Sequence, residues 1–82
     1  MVHLLYFGRI SDVTGCADEH HALPPNVVSV SALRNWLESR FSGDGVFTDQ
    51  TVRIAIDNQI VTDDTRLSTP HEIALLPPVG GG

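Results

Sequence analysis

Ser29-Val30-Ser31-Ala32-Leu33-Arg34-Asn35-Trp36-Leu37-Glu38-Ser39-Arg40-Phe41 is the clearest helix in this chain, and its needs decide the fold. Val30, Leu33, Trp36, Leu37 and Phe41 recur at helical spacing, and Ser29 stands where a side-chain oxygen accepts from the first free amides. Gly43 and Gly45 mark the end and open a loop. Arg34 and Glu38, four apart, fall on the wet side, where such a contact is worth about 0.2–0.5 kcal/mol. Trp36 reads as a core residue of the helix. An apolar stripe of this length requires an apolar partner, and only short strands are available to supply it.

Upstream, Val2 to Phe7 alternates as a strand, with Val2, Leu4 and Tyr6 on one face and His3, Leu5 and Phe7 on the other. Gly8 ends it. Arg9 to Gly15 has Ile10 and Val13 three apart, which suits a short helix or a wide loop closed by Gly15. Ala17 to Leu23 is polar and fits an edge strand paired back on the first, stopped by Pro24 and Pro25, which cannot donate to a ladder.

Downstream, Thr51 to Ile56 alternates, Asp57-Asn58 is turn material, and Gln59-Ile60-Val61 completes a hairpin. Thr62 to Pro70 is a polar connection with room for one helical turn. Glu72 to Leu76 is the last strand, with Ile73 and Leu75 inward and Leu76 on the opposite side. The order predicts an α+β domain: a mixed four- or five-stranded sheet with one main helix packed on one face.

The chain has 82 residues, enough for one compact domain, assigned to residues 1–76, with residues 77–82 as an extended tail. Apolar residues make up 41%, which argues against disorder throughout. No apolar run approaches the roughly 20 residues of a membrane span. The first residues lack a basic leader and a small-residue cleavage site, and the lone Cys16 cannot form an internal disulfide, so a cytoplasmic location is expected. Ten acidic residues against five basic ones give a charge of −5, with no footprint for nucleic acid or an anionic membrane. All five basic residues are arginines. Arginine-biased coding accounts for this, and so does a need to keep amines away from an activated acyl group.

After the last strand come Pro77-Pro78-Val79-Gly80-Gly81-Gly82. Two prolines hold the backbone extended and project the remaining residues away from the globule. Three glycines form a strip without side chains, able to enter a narrow channel and carry the Gly82 carboxylate to a remote active site. A frayed terminus is the alternative.

The chain resembles the small subunit of molybdopterin synthase (the MoaD family), a ubiquitin-like β-grasp sulfur carrier also related to the thiamine sulfur carrier. The resemblance rests on Leu5-Tyr6-Phe7-Gly8, Val13-Thr14-Gly15, Ser29-Val30-Ser31-Ala32-Leu33-Arg34, Ala55-Ile56-Asp57 with Ile60-Val61, and above all Glu72 through Gly82. It implies that an ATP-dependent activating enzyme adenylates the Gly82 carboxylate and that a sulfur donor converts it to a thiocarboxylate. The tail would then enter the large subunit, where sulfur passes to cyclic pyranopterin monophosphate in molybdenum cofactor biosynthesis. It also implies a heterotetramer with the large subunit and an apolar docking patch at Phe7, Ile60 and Leu76. ATP is used by the activating enzyme, and no cofactor is expected on this chain. Where many members carry an arginine after the first strand this chain has Ser11, and Arg9 is the candidate to serve the same contact. A ubiquitin-like modifier or binding module, or a carrier for another sulfur pathway, fits the same tail.

Nothing in the sequence defines catalysis within the chain. His20 and His21 are neighbours and so point to opposite faces of a strand, while His3, His71 and Cys16 have no required proximity, so no metal site is expected. Asp63-Asp64 reads as a turn carrying solvated charge.

Overall fold

The computed structural model describes residues 1–68, 70 and 72–78. In chain order it has β1 (Val2–Tyr6), α1 (Arg9–Thr14), β2 (Asp18–His21), α2 (Val30–Phe41), β3 (Arg53–Ile56), β4 (Gln59–Val61) and β5 (Glu72–Leu76). The strands form one mixed sheet in the order β2-β1-β5-β3-β4. At its centre β1 and β5 run parallel, with His3 opposite Glu72 and Tyr6 opposite Leu75. All other pairs are antiparallel.

Alternation does the sorting that the sequence predicts. Val2, Leu4 and Tyr6 from β1, Ile73 and Leu75 from β5 and Ile54 from β3 are buried on one face, against Val30, Leu33 and Leu37 of α2. Fully burying each such side chain is worth roughly 1.5–3 kcal/mol. Ile10 of α1 joins the same cluster. The expected hairpin is present: Asp57 and Asn58 both have positive φ, 49° and 73°, as a tight two-residue turn requires. Asp57 also ties that turn to β5, because its carboxylate accepts from the Glu72 amide at 2.9 Å.

The main helix begins as expected, with the Ser29 hydroxyl accepting from the Ala32 amide at 3.1 Å. It ends differently. The left-handed residue is Ser42, at φ 52°, whose amide donates to the Glu38 carbonyl at 2.9 Å. Gly43 serves packing instead: a Cβ there would stand 2.9 Å from the Phe47 ring and 2.8 Å from Val46. Phe47, from an irregular segment with no periodicity, is fully buried. Trp36 sits only half-buried at the rim, with His21 edge-on at 5.4 Å and the Arg40 guanidinium over its ring at 5.4 Å. Residues 62–68 contain no helical turn; a turn closed by Thr65 on Thr62 leads to a bridge between Arg66 and Ser29.

Arg34 departs most from expectation. It is not on the wet side but 5% exposed. Its Nε donates to Asp63 at 2.8 Å, and its terminal nitrogens donate to the carbonyls of Phe47 (3.1 Å), Asp49 (3.0 Å) and Val52 (2.6 Å). Glu38 instead accepts from the Phe47 amide at 3.1 Å. Helical spacing locates a residue on a face, but it cannot show that a loop will fold over that face. Asp63 is likewise a structural partner and not free turn charge. A hydrogen bond from Gln50, aided by one from Arg34 and its charge, holds the Asp63 carboxyl below the usual aspartate range, against the partial desolvation that raises it.

Replacing Arg34 with Met should lower stability by roughly 3–5 kcal/mol in a denaturant titration, since three carbonyls and Asp63 lose their donor together. Because the folded-state pKa of Asp63 is depressed, its stabilising effect is complete above the ordinary aspartate value of about 4 and is lost as pH falls through the lower folded value. Asp63→Asn should therefore flatten the pH dependence of the unfolding midpoint in that acid window. Tyr6 gives the opposite expectation. Its hydroxyl is buried with no partner at hydrogen-bonding geometry among the described residues, and burial, followed by the Glu19 charge, pushes its ionisation well above the ordinary tyrosine range, against a weaker opposing effect of Arg40. Tyr6→Phe should match or exceed the wild-type melting temperature, because it removes an unsatisfied group and leaves the ring in place.

Candidate functional site: the open sheet face at the tail exit

The face of the sheet opposite α2 has no element packed on it among those described. The strand registers set Leu5, Ala74, Ala55 and Ile60 in one row across the four strands β1, β5, β3 and β4. Toward the chain exit, Leu76 lies opposite Arg53. Toward the other end the face turns polar. His3 there stacks on His20 at 4.2 Å, accepts or donates at 2.6 Å to Asp18, and neighbours Glu72. The face is thus divided, apolar where the chain leaves β5 and ionisable where it enters.

The apolar end holds a groove of about 570 Å³ lined by Gln50, Thr51, Arg53, Ile60, Leu76, Pro77 and Pro78. Ile60 is 57% exposed and Leu76 is half-buried. The two prolines do not simply leave the globule. Both are half-buried and help line the groove, and the Pro77 ring passes so close to Gly8 that a Cβ on that glycine would lie 2.9 Å from its Cγ. Gly8 has φ 55° and ψ −135°, a conformation that only glycine adopts without strain. The corner after β1 therefore guides the first residues of the tail. Val79, Gly80, Gly81 and Gly82 lie outside the described residues.

The candidates named from the sequence separate here. Ile60 and Leu76 share the groove, and Phe7, 46% exposed, continues β1 beside it by donating to the Leu75 carbonyl at 3.3 Å. Arg9 does not join them. It lines a different cleft of about 300 Å³ with Val13, Gly43, Asp44, Gly45, Val46 and Asp49, and its guanidinium lies 3.7 Å from the Asp49 carboxylate. The cation at the groove is Arg53, which the sequence did not single out. Its parity puts it on the face opposite that of Ile54, but only the β3–β5 register puts it beside Leu76.

Among the described residues the groove carries one charged side chain, Arg53, and the cleft carries three, Arg9, Asp44 and Asp49. His20 and His21 take opposite sides of β2, as alternation requires, with His20 on His3 and His21 on Trp36. Cys16 is half-buried, its thiol 3.6 Å from a Glu19 oxygen and 3.9 Å from the Thr14 hydroxyl. Among the described residues no three His, Cys, Asp or Glu side chains gather as a metal site.

The family profile of ThiS matches residues 4–82 of the chain. The chain belongs to the ThiS family. Two solved structures resemble this ThiS-family domain along nearly their whole length. One, from Pyrococcus furiosus and described as "Putative molybdopterin converting factor, subunit 1", is 27% identical with a TM-score of 0.74, covering 95% of this chain and 97% of that one. The other, SAMP1 from Haloferax volcanii, is 15% identical with a TM-score of 0.76, covering 99% and 98%, and shares the fold. A search of curated proteins gives no match. Family and fold together make this a ubiquitin-like β-grasp domain of the ThiS and molybdopterin-converting-factor sulfur-carrier type.

Gly8→Val should lower stability by roughly 1–3 kcal/mol through the backbone strain alone. It should also shift the amide resonances of Leu76 in a two-dimensional NMR spectrum, because the new side chain meets Pro77.

Proposed function

We propose that this ThiS-family chain carries sulfur as a thiocarboxylate on Gly82 and donates it to cyclic pyranopterin monophosphate as the small subunit of a molybdopterin synthase. The observation that carries the reading is the match to a 27% identical molybdopterin-converting-factor subunit over nearly the full length of both chains. The family match reaching Gly82 and the apolar face beside the tail exit support it. An exposed apolar patch on a small domain marks a protein interface. The partners are the large catalytic subunit, in a heterotetramer, and an ATP-dependent activating enzyme that works with a sulfur donor, all in the cytoplasm.

The chemistry assigned to the chain is confined to its terminus. The Gly82 carboxylate attacks the α-phosphorus of ATP, giving an acyl-adenylate and releasing pyrophosphate. Hydrosulfide from the donor attacks the acyl carbon, the C–O bond to AMP breaks, and a thiocarboxylate remains. Glycine offers no Cβ to obstruct that attack. A ubiquitin-like modifier would follow the same first step but transfer the acyl group to an amine, leaving an isopeptide conjugate.

Incubation with ATP, the activating enzyme and sulfide, followed by intact-mass measurement, should show one oxygen exchanged for sulfur. Transfer to the pterin should follow when the large subunit is added. Extension of the chain by one residue beyond Gly82 should abolish both while leaving the melting temperature unchanged. Sulfur delivery by the extended chain would rule out a free-terminus mechanism, and amine conjugates without thiocarboxylate would favour the modifier.

A further inference from the structure

We propose that Arg53 is the specificity residue of the docking face: it pairs with a carboxylate that the activating enzyme presents beside an apolar surface when it receives the tail. This rests on the carrier reading above. It concerns one side chain that neither the family match nor the tail motif assigns.

The charges of the molecule single Arg53 out. Arg34 is bound to Asp63 at 2.8 Å, Arg40 to Glu19 at 2.6 Å, and Arg9 stands 3.7 Å from Asp49. Arg53 has no carboxylate partner among the described residues, and it is exposed. Arg66, also without one among them, lies on the connection that bridges to Ser29, away from the groove. Three of the five guanidiniums thus face a carboxylate, and of the two without one among the described residues Arg53 is the one at the groove.

Its position gives this guanidinium a use. Of the described residues lining the groove, only Arg53 is charged. The polar neighbours are engaged elsewhere: the Gln50 amide donates to Asp63 at 2.8 Å, and the Thr51 hydroxyl donates to Asp49 at 2.7 Å. Arg53 is thus the strongest unclaimed donor at the point where Leu76 passes into Pro77 and Pro78, and any enzyme that receives the tail must lie against it. A groove of about 570 Å³ with Ile60, Leu76, Pro77 and Pro78 as its apolar side and one planar, forked cation suits an apolar protein surface carrying a carboxylate. Apolar contact supplies area, and the ion pair sets the register of the complex and rejects surfaces that are basic at this point.

The test is ATP–pyrophosphate exchange by the activating enzyme, with the carrier as varied substrate, for wild type, Arg53→Glu, Arg53→Gln and Arg53→Lys. Arg53→Glu should raise KM about tenfold or more with kcat nearly unchanged, because docking is weakened while the tail chemistry is intact. Arg53→Gln should give a smaller rise, Arg53→Lys the smallest, and the salt dependence of KM seen with wild type should flatten in Arg53→Gln. Unfolding midpoints taken alongside establish that each variant is folded. A KM for Arg53→Glu within twofold of wild type would overturn the assignment and leave the carrier reading standing. A fall in kcat at unchanged KM would also overturn it, by giving Arg53 a part in tail placement and not in docking. No exchange with wild type would overturn the carrier reading, and this inference with it.

Discussion

The irregular half of this fold is fastened by a single buried guanidinium. Arg34 projects from the middle of α2 and satisfies three carbonyls of the segment between Phe47 and Val52, while Asp63 closes the arrangement from the connection after β4. Those stretches have no ladder or helix to bind their backbone groups, and buried carbonyls without donors would oppose the fold. By placing five rigid donors in one side chain, the helix does for a loop what a neighbouring strand does for a sheet. The groove at the tail exit inherits this order, since Gln50 and Thr51 on its wall belong to the same segment.

The regular half depends on parity. Strand alternation sends one set of residues to α2 and the other to the open face, and a slip of one residue in any strand would exchange the sets. The small side chains of Ala55 and Ala74 in the central strands leave that open face shallow, with Leu5 and Ile60 on either side. The same parity that builds the core therefore shapes the open face.

Much of this is legible from residues alone because it is local. The Ser29 cap, the stripe from Val30 to Phe41, the Asp57-Asn58 turn and the inward set of each strand all depend on neighbours within a few positions. The features that escaped the sequence depend on distant segments meeting. Arg34 looks solvated until the loop covers it, Phe47 looks like loop until its cavity exists, and Arg53 looks like one more surface arginine until β5 lies beside it. Ser42 and Gly43 show a subtler case: the glycine reads as a source of backbone freedom, but the neighbouring serine takes the left-handed turn and the glycine makes room for a ring. At the groove, Leu76 could be placed outward from strand parity and Ile60 from the family resemblance, whereas Arg9 required knowing which side of the sheet α1 approaches.

The parallel pairing of β1 with β5 also fixes where the molecule can be handled. Both strands run toward the tail exit, so Met1, 86% exposed, sits at the far end of the sheet, about 17 Å or one five-residue strand away. A fluorophore, affinity handle or surface tether joined at Met1 would hang from the polar end of the molecule. A bead or chip loaded in that way would display every copy with its apolar end outward, and in a chain without lysine no side-chain amine competes with that attachment.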